Sequence, residues 1–410
     1  MIRVLTTLFI CMLLMISCKT YQLQTFDYPR NIDTSTKAIE QQEKKLYAFS
    51  ELGVYADNRF AGARLNDFNT NNDSSFSAVI TPENQPINQS PWYAFKLWSN
   101  APKSIYLTLD YGDVQHRYIP KISSDRINWK HYNLEDVILN ADSTEATFKI
   151  DLSKDTLWLA GQELNTSSDV DKWINELAKN ENLTKSSAGK STLGRNIPVV
   201  HFVKGEVKGK KLVVLLSRQH PPEVSGFLAL KAFVNRLTQN DELTNQFLDE
   251  YNILMFPILN PDGVDLGHWR HNAGGIDTNR DWGYYRQPEI KQVTEYIISF
   301  VNENKNKVKF SLDFHSTQED VYYTMDSTLK TNIYGFNDKW LAAIDKSIEN
   351  YTPNEEASGL QIPISKTWFF KQFKAEAVTF EFGDETDRAF IKQKGNVAAE
   401  AMMKILLEDY

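Results

Sequence analysis

The stretch Lys211-Leu-Val-Val-Leu-Leu-Ser-Arg-Gln-His-Pro-Pro-Glu223 decides how the second half of this chain is read. Its unbroken apolar run predicts a strand buried on both faces, as in a parallel sheet covered by helices. A helical pattern opens at Val224, directly after it. His220 and Glu223 therefore stand three residues apart just past the carboxyl end of a buried strand. There an imidazole and a carboxylate can share one zinc ion. A second strand, Val308-Lys-Phe-Ser-Leu-Asp-Phe314, ends in His315. Two histidines and one glutamate leave a fourth tetrahedral position for water, the arrangement of a catalytic rather than a structural zinc.

The H-x-x-E pair alone carries little weight, because a histidine or glutamate at a loop edge is ordinarily just solvated. Its company downstream changes that. Asn260-Pro-Asp-Gly263 follows the apolar strand Asn252-Ile-Leu-Met-Phe-Pro257. Trp269-Arg270, Gly275-Ile-Asp-Thr-Asn-Arg-Asp-Trp282 and Ala377-Val-Thr-Phe-Glu-Phe382 come after it, in that order. Taken together these motifs resemble the zinc carboxypeptidases, the carboxypeptidase A-like metallopeptidases, over the part of the chain from about Ser186 to the C-terminus.

The resemblance implies an α/β fold, a mixed sheet of the eight-stranded type flanked by helices. It implies one zinc held by His220, Glu223 and His315, and hydrolysis of C-terminal peptide bonds. Glu381 takes the family's general acid/base position, where a carboxylate removes a proton from water and passes it to the leaving amine. Glu376 and Glu385 are the neighbouring carboxylates without that role. Arg270 corresponds to the arginine that stabilises the oxyanion, a task suited to a permanently charged, forked cation. Asn279 and Arg280 correspond to the pair that holds the substrate's terminal carboxylate. Asp277 corresponds to the carboxylate that orients the first zinc-bound imidazole. The remaining histidines, His116, His131, His201, His268 and His271, are read as surface or packing residues. The family often places a tyrosine some twenty residues before the catalytic glutamate. Gln361-Ile-Pro-Ile-Ser-Lys-Thr-Trp-Phe-Phe370 holds none, which leaves Trp368 as the candidate for an apolar lid.

The first half has a different texture. Ser77–Ile80, Trp92–Trp98, Ser104–Tyr111, Ala146–Leu152 and Thr156–Leu159 show mostly period-two apolar spacing between Asn, Asp, Gly, Ser and Pro clusters. That predicts a small antiparallel β-sandwich. Helical patterns run over 169–179, 224–237, 288–302, 334–348 and 388–407. The expected organisation is a lipoprotein signal over 1–18, a polar tether over 19–45, a β-sandwich over 46–165 and the catalytic part over 166–410. A sandwich placed before such a catalytic part resembles the cytosolic carboxypeptidase subfamily in layout.

Arg3 followed by a short apolar stretch and Met15-Ile-Ser-Cys18 resembles a bacterial lipoprotein signal, with Cys18 lipidated. The alternative is an ordinary cleaved secretion signal. The expected location is the bacterial cell envelope, with the membrane reached through Cys18. Only Cys11 accompanies Cys18, and it would leave with the signal. A net charge of −8 with scattered Lys and Arg argues against nucleic acid as a partner. Ala188-Gly-Lys-Ser-Thr192 imitates a phosphate loop but lacks the required earlier glycine, Thr184 standing there, so no nucleotide is expected. Three functions remain open. They are a zinc carboxypeptidase acting on peptides, a γ-D-glutamyl peptidase or amidase acting on muropeptides, and a binding lipoprotein with an inert catalytic half.

Overall fold

The computed structural model describes residues 20–30 and 38–410. The signal segment and Cys18 lie outside the described residues. The first structured layer pair is a sandwich. A six-stranded antiparallel sheet runs in the order Leu46–Phe49, Val54–Asp57, Ala94–Ser99, Leu157–Ala160, Lys121–Ser123 and Lys130–His131. It faces a five-stranded sheet in the order Asp67–Asn72, Ser75–Val79, Lys103–Asp110, Glu145–Leu152 and Ile138–Leu139. Phe68, Phe76, Phe95, Leu97, Leu107, Phe148 and Leu159 fill the space between them. The alternation read from the sequence is the burial alternation seen in Glu145–Leu152, where every second residue points inward. One pair departs from the antiparallel expectation: Ser75–Val79 runs parallel to Lys103–Asp110. The chain between them passes through Ala94–Ser99 in the opposite sheet, which supplies the length that a parallel return needs.

The second half is a mixed eight-stranded sheet. Its order is Leu183–Lys190, Asn196–Phe202, Tyr251–Phe256, Lys211–Ser217, Lys307–Thr317, Glu376–Gly383, Val321–Met325 and Glu355–Ser358. The four central strands are parallel to one another. They are buried along most of their length because helices cover both faces. Val224–Leu237, Phe336–Ser347 and Arg388–Asp409 lie on one face, around Phe227, Trp340 and Met402. Pro288–Asn304 and Ser365–Phe373 lie on the other, around Ile290, Val293 and Phe369. The strand expected to end in His315 continues to Thr317, because its parallel pairing with Glu376–Gly383 holds as far as Thr317 opposite Gly383. Ser217 lies opposite Phe314 and His315 opposite Glu381, so the carboxyl ends of three strands reach the same edge.

Residues 20–30 fall within the expected tether, yet they are seated on this second half. Tyr21, Leu23 and Phe26 pack against the apolar layer that contains Trp282 and Trp368. Tyr21 exchanges two hydrogen bonds with Asn302. Its N–H donates to Oδ1 at 2.8 Å and its carbonyl accepts from Nδ2 at 2.7 Å. The aromatic side chains scattered through a polar stretch are what anchor it.

Candidate metal centre

The first ligand pair is presented by a bent strand end. Arg218, directly after Lys211–Ser217, adopts φ 54°, a left-handed conformation that costs a non-glycine residue about 1 kcal/mol or more. The turn is held by the Arg218 guanidinium, whose Nη2 donates to the Pro221 carbonyl at 2.8 Å. Glu223 stands at the N-cap of Val224–Leu237 but makes no capping bond with its side chain. Its carboxylate turns instead to both histidines. Oε1 accepts from His220 Nδ1 and Oε2 from His315 Nδ1, each at 2.7 Å. Glycine makes this closeness possible: a Cβ on Gly226 would sit 2.3 Å from the His315 carbonyl oxygen. The start of the helix therefore presses directly on the strand that carries His315.

Each imidazole is backed on its other nitrogen. His220 Nε2 lies 2.9 Å from Asp277 Oδ1, and His315 Nε2 lies 3.0 Å from Asp313 Oδ2. Burial works against charge on Glu223, but His220 and His315 outweigh it and hold the carboxyl well below its ordinary range. Burial likewise opposes charge on His315, and Asp313 and Glu223 overcome it, raising its pKa. The donor set fits zinc. Among the described residues, one cluster of three such side chains offers ligand atoms within 4.8 Å of one another: His220, Glu223 and His315, all buried. Two Nδ1 atoms and a carboxylate oxygen make up the composition of a catalytic zinc site. The backing aspartates are the partners that metal-bound imidazoles need.

Beyond the triad the chain encloses a cavity of about 380 Å³, lined by His220, Glu223, His315, Arg270, Asn279, Arg280 and Glu381. Every residue expected to ligate metal, shuttle protons or hold substrate therefore reaches one space. Asp277 sits behind it as a hub. Its Oδ2 accepts from Arg270 Nε at 2.7 Å, and its Oδ1 also accepts from the Asn279 backbone N–H at 2.8 Å. Asn279 turns Nδ2 toward His315 Nε2 at 3.4 Å, while its Oδ1 accepts from the Ser365 N–H at 3.0 Å. Glu381 Oε2 is buried with no hydrogen-bond partner among the described residues. Burial, reinforced by the Glu223 charge and opposed by His315 and Arg270, pushes the Glu381 carboxyl up to about 8. A carboxylate left unsatisfied beside three metal donors is placed to handle the proton of a water or a leaving group.

The structure corrects one expectation and adds residues the sequence did not single out. Trp368 is no lid. It is fully buried against Trp282, Phe369 and Phe373, with Nε1 donating to Tyr285 Oη at 2.8 Å. Its place in the apolar face of Ser365–Phe373 decides this. Tyr323 lines the cavity, as do Lys366 and Arg117, the latter contributed by the sandwich half. Arg117 is fixed by an ion pair to Asp384 at 2.7 Å. Lys366 Nζ donates to the Ser358 Oγ at 2.7 Å and the Thr324 carbonyl at 2.5 Å, and burial brings its pKa down to about 8. Asp313 was legible as D-x-H, since residues two apart share a strand face. Nothing local marked Arg117 or Lys366.

Residues 170–399 match the family model described as zinc carboxypeptidase. An uncharacterized protein of Zymomonas mobilis is 25% identical over 229 residues, covering 51% of this chain and 58% of its own length. Cytosolic carboxypeptidase 3 of Mus musculus is 21% identical over 352 residues, covering 78% of this chain and 34% of its own length. The chain thus spans less than two thirds of these curated relatives. Among solved structures, a metallo-carboxypeptidase from Burkholderia cenocepacia superimposes with a TM-score of 0.71 at 17% identity, over 86% of this chain and 98% of that one. A metallo-carboxypeptidase from Pseudomonas aeruginosa, solved with (2-guanidinoethylmercapto)succinic acid, gives 0.67 at 16% identity, over the same two shares. At such identities these likenesses speak to the fold, sandwich included.

Proposed function

This chain belongs to the zinc carboxypeptidase family, and on that premise we propose that it is a zinc-dependent carboxypeptidase hydrolysing the C-terminal bond of peptides. The observation that carries the reading is the convergence of His220, Glu223 and His315 with Glu381, Arg270, Asn279 and Arg280 on one cavity. His220 Nδ1, His315 Nδ1 and Glu223 would hold the metal. Zinc, when bound, supplies an acidified water and a Lewis acid for the scissile carbonyl. Glu381 Oε2 would take a proton from a water at the site and return it to the leaving amine. Arg270, oriented by Asp277, meets the negative charge that develops on the carbonyl oxygen. Asn279 and Arg280 hold the terminal carboxylate.

Arg117 and Lys366 add cations to the same cavity. A buried ammonium favours a substrate whose last side chain is itself a carboxylate, because an ion pair there relieves the cost of burying it. The test is turnover of free-acid and C-terminally amidated peptides ending in glutamate, leucine or lysine, and of muropeptides, with and without chelator. Chelator-sensitive release of glutamate from free-acid peptides is expected. Equal cleavage of amidated and free-acid peptides would replace the exopeptidase reading with an endopeptidase or amidase. Turnover confined to muropeptides would move the substrate to γ-D-glutamyl linkages, and no turnover would leave a binding protein. We also propose that the protein is held on the bacterial envelope through a lipidated Cys18. Cys18→Ala should release active protein from membranes. A variant that stays with membranes through a carbonate wash would remove the anchor.

A further inference from the structure

Arg270 stands on a loop that the sandwich half moulds. From Asp265 to Gly275 the backbone is met by a series of groups far away in sequence. Gly62 N–H donates to the Asp265 carbonyl at 2.7 Å, and Gln42 Nε2 to the Leu266 carbonyl at 3.0 Å. At Gly267, φ 69°, a Cβ would fall 2.3 Å from the Ala63 carbonyl oxygen, so the two segments touch backbone to backbone. Trp269 belongs to the apolar core of the sandwich, and its Nε1 donates to the Trp92 carbonyl at 3.1 Å. Asn84 accepts from His271 Nδ1 at 2.6 Å and donates to the Gly275 carbonyl at 3.2 Å.

The centre of this contact is one carboxylate. Glu83 is fully buried, on the segment between the strands Ser75–Val79 and Ala94–Ser99. Its Oε2 accepts from the Trp269 N–H at 2.7 Å. Its Oε1 accepts from the N–H groups of Arg270 at 3.0 Å and His271 at 2.7 Å. Three successive amides thus point at one side chain, and the middle one belongs to the cavity-lining arginine. A charged acceptor holding three backbone donors fixes that peptide segment far more tightly than a loop holds itself. Arg270 then has a defined root, and Asp277 defines its tip. Burial works against charge on Glu83, but His268, Arg64 and His271 outweigh it, so the carboxyl stays ionised below its ordinary range.

We infer that Glu83 is a positioning residue for hydrolysis: it clamps the backbone of 269–271 so that the Arg270 guanidinium stands where oxyanion charge develops. The inference rests on the hydrolase reading of the site. Glu83 touches neither substrate nor metal, and its effect passes through Arg270 alone. Preorganised donors lose much of their value when displaced by even an ångström.

The test is a double-mutant cycle on the zinc-loaded full chain, with an N-acylated dipeptide ending in glutamate as substrate. Glu83→Gln keeps the shape but replaces one acceptor oxygen with a donor. It should lower kcat by about 10- to 100-fold with KM and zinc content little changed. Arg270→Ala should lower kcat by roughly 10²–10³-fold. Adding Glu83→Gln to Arg270→Ala should cost nothing further, because the group that Glu83 positions is gone. Equal losses in both backgrounds would overturn the inference and leave Glu83 a purely structural residue. So would unchanged kcat in folded Glu83→Gln, or a loss confined to KM. If Glu83→Gln does not fold, Glu83→Asp, which keeps the charge and shortens the reach, goes through the same cycle. Failure of both to fold would assign Glu83 to the fold and not to catalysis. Absence of turnover by the wild-type chain would overturn the hydrolase reading, and this inference with it. An active wild type with additive losses would overturn the inference alone.

Discussion

His220 and His315 meet Glu223 at the same 2.7 Å, yet they are held by two different kinds of structure. His315 is supported by its own strand. Asp313 lies two residues back on the same face, and the parallel register sets Glu381 beside it. His220 is supported by Asp277, which comes from a loop held at the Gly275 carbonyl by Asn84 of the sandwich. One half of the site follows from the sheet, and the other depends on a second body of the chain. The sandwich is therefore part of the candidate site's construction, and Arg270 belongs to its side of the comparison.

The largest effect tests the ground the two sides share. His220→Ala, His315→Ala together should abolish both bound zinc and turnover, read by metal analysis of the purified protein. Undiminished zinc would place the site elsewhere. Glu381→Gln comes next. It should lower kcat by roughly 10²–10⁴-fold while zinc is retained, since size is kept and basicity lost. Full activity in that variant would take Glu381 out of the chemistry.

Two aspartates sharpen the comparison itself. Asp313→Asn and Asp277→Asn should each weaken zinc binding by about 10- to 100-fold, because each unbacks one imidazole. Under saturating zinc the two should diverge. Asp313→Asn should recover most of its kcat, whereas Asp277→Asn should not, since Asp277 also holds Arg270. Matching recovery would erase the distinction between the strand side and the loop side.

The smallest effect on activity uses two glutamates on one strand. Glu376 opens Glu376–Gly383 and Glu381 stands near its other end. Glu376 accepts from Thr331 Oγ1 and Asn337 Nδ2, and burial pushes its carboxyl from 4.5 up to about 7. Between those values the folded chain holds a proton that the unfolded chain has released. The contribution to stability is therefore full below pH 4.5 and is lost as pH rises toward 7. Glu376→Gln should flatten that part of the melting-temperature profile and leave kcat unchanged. An undiminished slope would assign the titration to other groups.

Much of the site could be read before folding because the reactive residues sit at the ends of apolar runs. The run Lys211–Ser217 announced a buried parallel strand, and His220 and Glu223 follow within one turn of chain. Val224–Leu237 was legible as a helix to both ends. Short strands such as Leu46–Phe49 and Lys121–Ser123 were not, since they are too brief for alternation to show. The lid reading of Trp368 went wrong because motif spacing says nothing about which face of Ser365–Phe373 meets the core.

The residues alone determined the mixed sheet, the sandwich before it and the metal triad, because periodicity sets out the strands and His220, Glu223 and His315 stand at the ends of two of them. Tertiary structure decided what surrounds the triad. Glu83 lies 187 residues from Arg270, and the seating of Tyr21 on Asn302 spans 281. Arg117 and Lys366 enter the cavity from separate halves of the chain. Such contacts leave no local signature, because their energy comes from burying polar groups against partners that only the folded chain brings within reach.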